Sequence, residues 1–119
     1  MTQKLAVARM AAASALPKGL FGGADFVSVT QTDEELSIVA TREKLNGIDT
    51  VEDGWTVFKV LGPLDFSLVG ILADLSDTLA KAEISLFALS TYDTDYILVK
   101  GEDADKAERA FLAKGHRLA

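Results

Sequence analysis

The 119-residue chain is long enough for a real hydrophobic core and too short for two large independent domains. Its hydrophobic share of 49% and charged share of 25% exclude wholesale disorder, and its net charge of -6 opposes binding to a nucleic-acid backbone, since no basic stripe compensates. The absence of cysteine excludes disulfides, thiolate nucleophiles and Cys-ligated zinc or iron–sulfur centres, and fits a reducing, cytoplasmic setting.

Met1 to Leu16 carries Lys4, Arg9 and an alanine-rich run, but Arg9 and Ser14 interrupt its apolar stretch, so it does not read as a signal peptide. No window offers the roughly 18 consecutive apolar residues of a membrane span, and the chain is expected to be soluble and to engage no membrane. Lys4 to Met10 alternates as a strand does, and Ala11 to Leu20, broken by Pro17 and Gly19, reads as a helical turn or loop. Phe26 to Thr32 and Leu36 to Thr41, joined by the acidic turn Asp33-Glu34-Glu35, read as a hairpin. Arg42 to Gly54 is polar, contains Asn46-Gly47 and Asp53-Gly54, and reads as a connection with one helical turn that divides the chain.

Trp55 to Leu61 has strand composition and stops at Gly62-Pro63, because proline cannot donate to a sheet ladder. From Ser67 the period changes. Leu68, Ile71, Leu72, Leu75, Leu79 and Ala82 fall at helical spacings, which predicts an amphipathic helix over Ser67 to Ala82. Ile84 to Thr91 and Tyr96 to Lys100 are strand-like runs around the polar turn Tyr92-Asp93-Thr94-Asp95. A helix over Ala104 to Lys114 is opened by Asp103 or by the pair Asp105 and Glu108, and closed by Gly115.

A short final strand from His116-Arg117-Leu118 would complete a βαββαβ ferredoxin-like unit of the α+β class, with two helices on one face of an antiparallel sheet. The first half repeats the theme in reduced form as strand, irregular or helical segment, then hairpin. Residues 1–54 therefore read as an abbreviated unit and residues 55–119 as a full one, a tandem duplication resting on element order, since the halves share little sequence.

Chemistry of the catalytic kind is hard to assemble from these residues. His116 is the one histidine, so no histidine dyad or histidine-cluster metal site forms within a single chain. No serine sits in a Gly-x-Ser-x-Gly elbow, and Gly19-Leu20-Phe21-Gly22-Gly23 lacks the lysine and strand context of a phosphate loop. Asp93, Asp95, Glu102, Asp103 and Asp105 lack the ligand spacing of an EF-hand loop and read as a solvated acidic face. The expectation is a protein with no catalytic residues, no metal and no cofactor.

The run Gly62-Pro63-Leu64-Asp65-Phe66-Ser67-Leu68-Val69-Gly70-Ile71-Leu72-Ala73 resembles the strand-to-helix loop of a tandem ACT-domain family that includes the arginine sensors of the TOR pathway and many small bacterial proteins. Ile84 to Val99 resembles that family's second signature. The resemblance runs from Trp55 to His116, and more loosely over Phe26 to Val39, where Thr32 to Ser37 is similar to the shortened first unit of the bacterial members. It implies an ACT fold and a non-catalytic regulatory or sensing domain, binding an amino-acid-like ligand at interfaces between ACT units, often across a homodimer. The alternative is a structural or protein-interaction ACT module whose ligand site is vestigial.

On this resemblance the ligand-binding residues are Gly62, Asp65, Phe66, Ser67, Leu68 and Gly70 in the loop and Thr91, Tyr92, Asp93, Thr94 and Asp95 in the turn. The unpaired first N–H groups of the helix suit a carboxylate, and Gly62 and Gly70 permit close approach. Asp65 and Ser67 either cap the helix or meet an ammonium group, while Phe66 and Leu68 form core or pocket wall. In the arginine-sensing relatives an aspartate matching Asp95 faces the basic end of the ligand, but an acidic loop residue of those relatives is Leu68 here, a departure that bears on ligand choice. The competing reading of Asp93 and Asp95 is an Asx-type turn bonded to its own backbone. Loop and turn are expected to line one cleft.

Overall fold

The computed structural model describes residues 3–23, 26–60 and 71–115. The chain divides into two compact units, Lys4–Trp55 and Thr56–Ala119 with Met1–Gln3. In the first unit, alternating apolar residues draw β1 (Gln3–Met10) into antiparallel pairing with β3 (Leu36–Ala40), and β3 pairs antiparallel with β2 (Ser28–Gln31). The register sets Ala6 opposite Ala40 and Ala8 opposite Ile38, so one face is lined mainly by small side chains. Small side chains let the covering chain come close, and the cover here is not an α-helix. Leu20, from the loop after β1, and Leu45, from a 3-10 turn over Arg42–Leu45, complete the buried cluster. Lys44 of the same turn reaches back, its Nζ donating to the carbonyl oxygens of Gly19, at 3.1 Å, and of Gly22, and so ties down the loop that carries Leu20.

Strand β4 (Thr50–Lys59) begins in the first unit and ends in the second, where the strand order is β4-β6-β5. β5 (Leu86–Ser90) and β6 (Asp95–Lys100) pair antiparallel, with Leu86 opposite Val99 and Ser90 opposite Asp95. Phe58, Val60, Ile97 and Val99 share a buried cluster with Leu75 and Leu79 of helix α1 (Ile71–Lys81) and with Ala107 and Phe111 of α2 (Ala104–Ala113). The rings of Phe58 and Phe111 meet edge to face, centroids 5.8 Å apart at 74°. On the outer side of α1, Asp77 and Lys81 form an exposed i,i+4 pair at 3.0 Å, which contributes little to stability.

Leu75 and Leu79 thus take the core positions that helical spacing gives them. The start of that helix at Ser67, Leu68, the side chains of Ile71 and Leu72, and the strand expected at His116-Arg117-Leu118 lie outside the described residues. Two sequence expectations are corrected. The strand expected from Trp55 starts at Thr50, because Asp53-Gly54 is not a turn between elements but a kink inside β4: Gly54 has φ +80°, and Asp53 Oδ1 accepts its N–H at 2.8 Å. Left-handed glycine of this kind is how strands accommodate bulges. Asp103 precedes α2 but does not cap it through its side chain. A 3-10 turn over Gly101–Asp103 leads into the helix with Asp103 already in the right-handed region, and Ala104 N–H bonds to Gly101 O instead.

The two helices end differently. Gly115 (φ +81°) follows α2 and bonds through its N–H to Leu112 O at 3.0 Å, as its sequence position predicts. After α1 the left-handed position is held by Glu83 (φ 60°), with Ile84 N–H on Leu79 O at 2.9 Å and Glu83 N–H on Ala80 O at 3.0 Å. That pair of bonds is the Schellman arrangement, and buried Ile84 and Leu79 supply its apolar contact. A Cβ at such a φ costs free energy that glycine avoids. Glu83→Gly is expected to stabilise the protein by about 0.5–1 kcal/mol, read as a rise of a few degrees in Tm by calorimetry.

Candidate functional site

The second hairpin turn is built by one threonine. Thr91 N–H donates to Thr94 O at 2.8 Å, and Thr91 Oγ1 accepts the Thr94 N–H at 3.0 Å while lying 2.6 Å from Thr94 Oγ1 and 3.2 Å from Thr94 O. With the turn's polar groups satisfied by Thr91, the residues between are released outward: Tyr92 is 92% exposed and Asp93 is exposed beside it. Thr94 and Asp95 are half-buried. The Asx-type reading is therefore not what the geometry contains, since the hydroxyl of Thr91 does the work that a turn carboxylate would do. Among the described residues neither the Asp93 nor the Asp95 carboxylate has a partner.

The position of Asp95 is fixed from a second direction. Val60 N–H donates to Asp95 O at 3.0 Å, joining the first residue of β6 to the residue that follows β4. The chain departs from Val60 into residues 61–70, so Asp95 stands at the point where that segment begins. The loop residues Gly62, Asp65, Phe66, Ser67, Leu68 and Gly70 lie outside the described residues, and of the sequence-derived set the structure brings together Thr91, Tyr92, Asp93, Thr94 and Asp95. Among the described residues no three His, Cys, Asp or Glu side chains gather as a metal site needs, and no helix is long and apolar enough to cross a membrane.

Sequence reasoning missed the structural role of Thr91, and a signal for it exists. The first hairpin has the same turn: Thr32 N–H bonds to Glu35 O at 2.9 Å, and Thr32 Oγ1 accepts the N–H groups of Glu34 and Glu35, each at 3.1 Å. The facing pairs that frame the turns are Gln31–Leu36 and Ser90–Asp95, and from 31 to 90 and from 36 to 95 the step is the same 59 residues.

A family model described as ACT domain matches residues 50–112, and a second model, described as an N-terminal domain, matches residues 3–47. A crystal structure of a protein from Agobacterium tumefaciens is similar at 35% sequence identity with a TM-score of 0.85, over 94% of this chain and 83% of that one. A protein of unknown function from Vibrio cholerae, described as a possible transport protein, shares the fold at 21% identity and TM-score 0.69, over 92% and 84% of the two chains. So does the regulatory subunit of aspartate kinase from Thermus thermophilus, at 14% identity and TM-score 0.63, over 92% and 91%. No curated protein matches the sequence. The chain belongs to the ACT-domain family, with its α+β architecture of antiparallel sheet and two helices.

Thr91→Val keeps side-chain shape and removes the oxygen on which the turn closes. It is expected to destabilise the protein by about 1 kcal/mol, measured by urea denaturation, with Thr32→Val behaving alike in the first hairpin.

Proposed function

We propose that the protein is a non-catalytic regulatory module that binds a small amino-acid-like ligand where the Thr91–Asp95 turn meets the Gly62–Gly70 segment. The observation that carries this reading is the setting of Asp95: half-buried, held through its carbonyl by Val60, and with a carboxylate uncommitted among the described residues. A half-buried carboxylate with no partner among the described residues suits an ammonium group, and the helix-start N–H groups expected from Ser67 onward suit a carboxylate, which together make the charge pattern of a zwitterion. Membership of the ACT family and the fold shared with a regulatory subunit of aspartate kinase support a regulatory role. The related proposal, a tandem ACT protein with an abbreviated first unit, is supported by the same four-residue threonine turn closing both hairpins. A relation to the TOR-pathway arginine sensors rests on the sequence resemblance of Gly62–Ala73 and Ile84–Val99.

A thermal-shift screen against the common L-amino acids tests the reading, because a ligand bound only by the folded state adds about 2.7 kcal/mol at one hundred times its Kd. At least one amino acid should raise Tm by several degrees. No shift with any of them leaves the structural or protein-interaction module as the account of the protein. For an amino acid that does bind, Asp95→Asn removes the charge and leaves the Val60 bond, which uses only backbone. Its affinity should fall about 10- to 100-fold by calorimetry with Tm of the free protein unchanged, whereas equal affinity in Asp95→Asn and Asp93→Asn would leave the carboxylates without a binding role.

We further place the module in the cytoplasm as a homodimer. Strands β2 and β5 are edge strands, and neither carries a charged residue to discourage pairing with another edge. Sedimentation at tens of micromolar should give twice the chain mass.

A further inference from the structure

We propose that Gln31 is a built-in plug that closes the first unit's copy of the turn site, so that each chain offers one ligand site and not two; this rests on the ligand reading of the Thr91–Asp95 turn. The step of 59 residues sets Gln31 against Ser90, Thr32 against Thr91 and Leu36 against Asp95. Met10, at the end of β1, faces Leu36 as Val60, after β4, meets Asp95. The first unit therefore has its own rim, between the chain that leaves β1 at Ala11 and the turn from Thr32 to Glu35.

That rim is stapled from within. Gln31 Nε2 donates to Ala12 O at 2.6 Å, joining the hairpin directly to the departing chain. Arg9 Nη2 approaches Glu34 O at 3.5 Å, a long contact that adds little by distance but lies on the same side-to-side path. Ser14 N–H bonds to Ala11 O at 3.0 Å and closes the small turn on which Ala12 rides. The carboxamide N–H thus occupies the Ala12 carbonyl from inside the chain and bridges the two sides of the rim. Two substitutions distinguish the second rim. Ser90 offers a hydroxymethyl group where Gln31 offers a carboxamide, and Asp95 replaces Leu36 with a carboxylate that the first rim lacks. The first rim keeps the turn, is bridged by Gln31 and has no carboxylate at Leu36.

The test uses backbone-amide NMR on the whole chain, with each of the common L-amino acids as probe at millimolar concentration. Gln31→Ala and Gln31→Glu, the latter keeping length while removing the N–H donor, should each speed hydrogen exchange at the Ser14 amide about fivefold or more, the change expected on losing one exposed hydrogen bond. Any probe that binds the wild-type protein should shift resonances of Thr91 to Asp95 and leave those of Gln31 to Glu35 in place. Unchanged exchange at Ser14 in both variants overturns the plug, and so does a probe that shifts Gln31 to Glu35 in the wild-type protein. If no amino acid shifts any resonance, the ligand reading fails, and exchange at Ser14 still decides whether Gln31 closes its rim.

Discussion

A threonine hydroxyl that accepts the N–H groups ahead of it in a four-residue turn sets the register of both hairpins, and the cores follow from that register. With Thr32 closing the first turn, Ser28 faces Val39 and Gln31 faces Leu36; with Thr91 closing the second, Leu86 faces Val99 and Ser90 faces Asp95. A slip of one residue would turn Ile38 and Ala40, or Ile97 and Val99, from the covered face to the other. These residues form the floor on which Leu20 and Leu45 rest in one unit and α1 and α2 in the other. The same hydroxyl closes the turn without help from Asp93 or Asp95, whose carboxylates have no partner among the described residues.

The units answer the problem of covering a sheet face at different scales. In the second, large floor residues such as Phe58 and Ile97 meet two helices whose Leu79 and Phe111 fill the space between. In the first, Ala6, Ala8 and Ala40 keep the floor shallow, and it is covered by Leu20 from a loop held by the Lys44 ammonium and by Leu45 from the 3-10 turn.

Much of this was legible because it depends on local pattern. Alternation revealed β1 and both hairpins, 3.6-residue spacing revealed Leu75 and Leu79, and Gly115 marked the end of α2. What was not legible depends on contacts distant in sequence or on backbone torsion. Asp53-Gly54 carries the composition of a turn, and only its setting within a paired strand makes it a kink. Lys44 on Gly19 and Gly22, and Gln31 on Ala12, are side-chain-to-carbonyl bonds that no periodicity announces. Of the candidate site, the turn residues were readable from composition and family likeness. The tie from Val60 to Asp95 was not, since a backbone bond leaves no mark on residue choice.

The threonine turns also impose an order on how the chain acquires its structure. Each hairpin joins neighbours in sequence and closes on the scale of about 1–10 μs, whereas β1 must find β3 across the whole loop that carries Leu20, against a larger loop-closure entropy. Residues 28–40 are complete well before the second hairpin leaves the ribosome. The nascent chain therefore presents a finished two-stranded template to which the already synthesised β1 can dock, bringing Ala6 opposite Ala40 and Ala8 opposite Ile38.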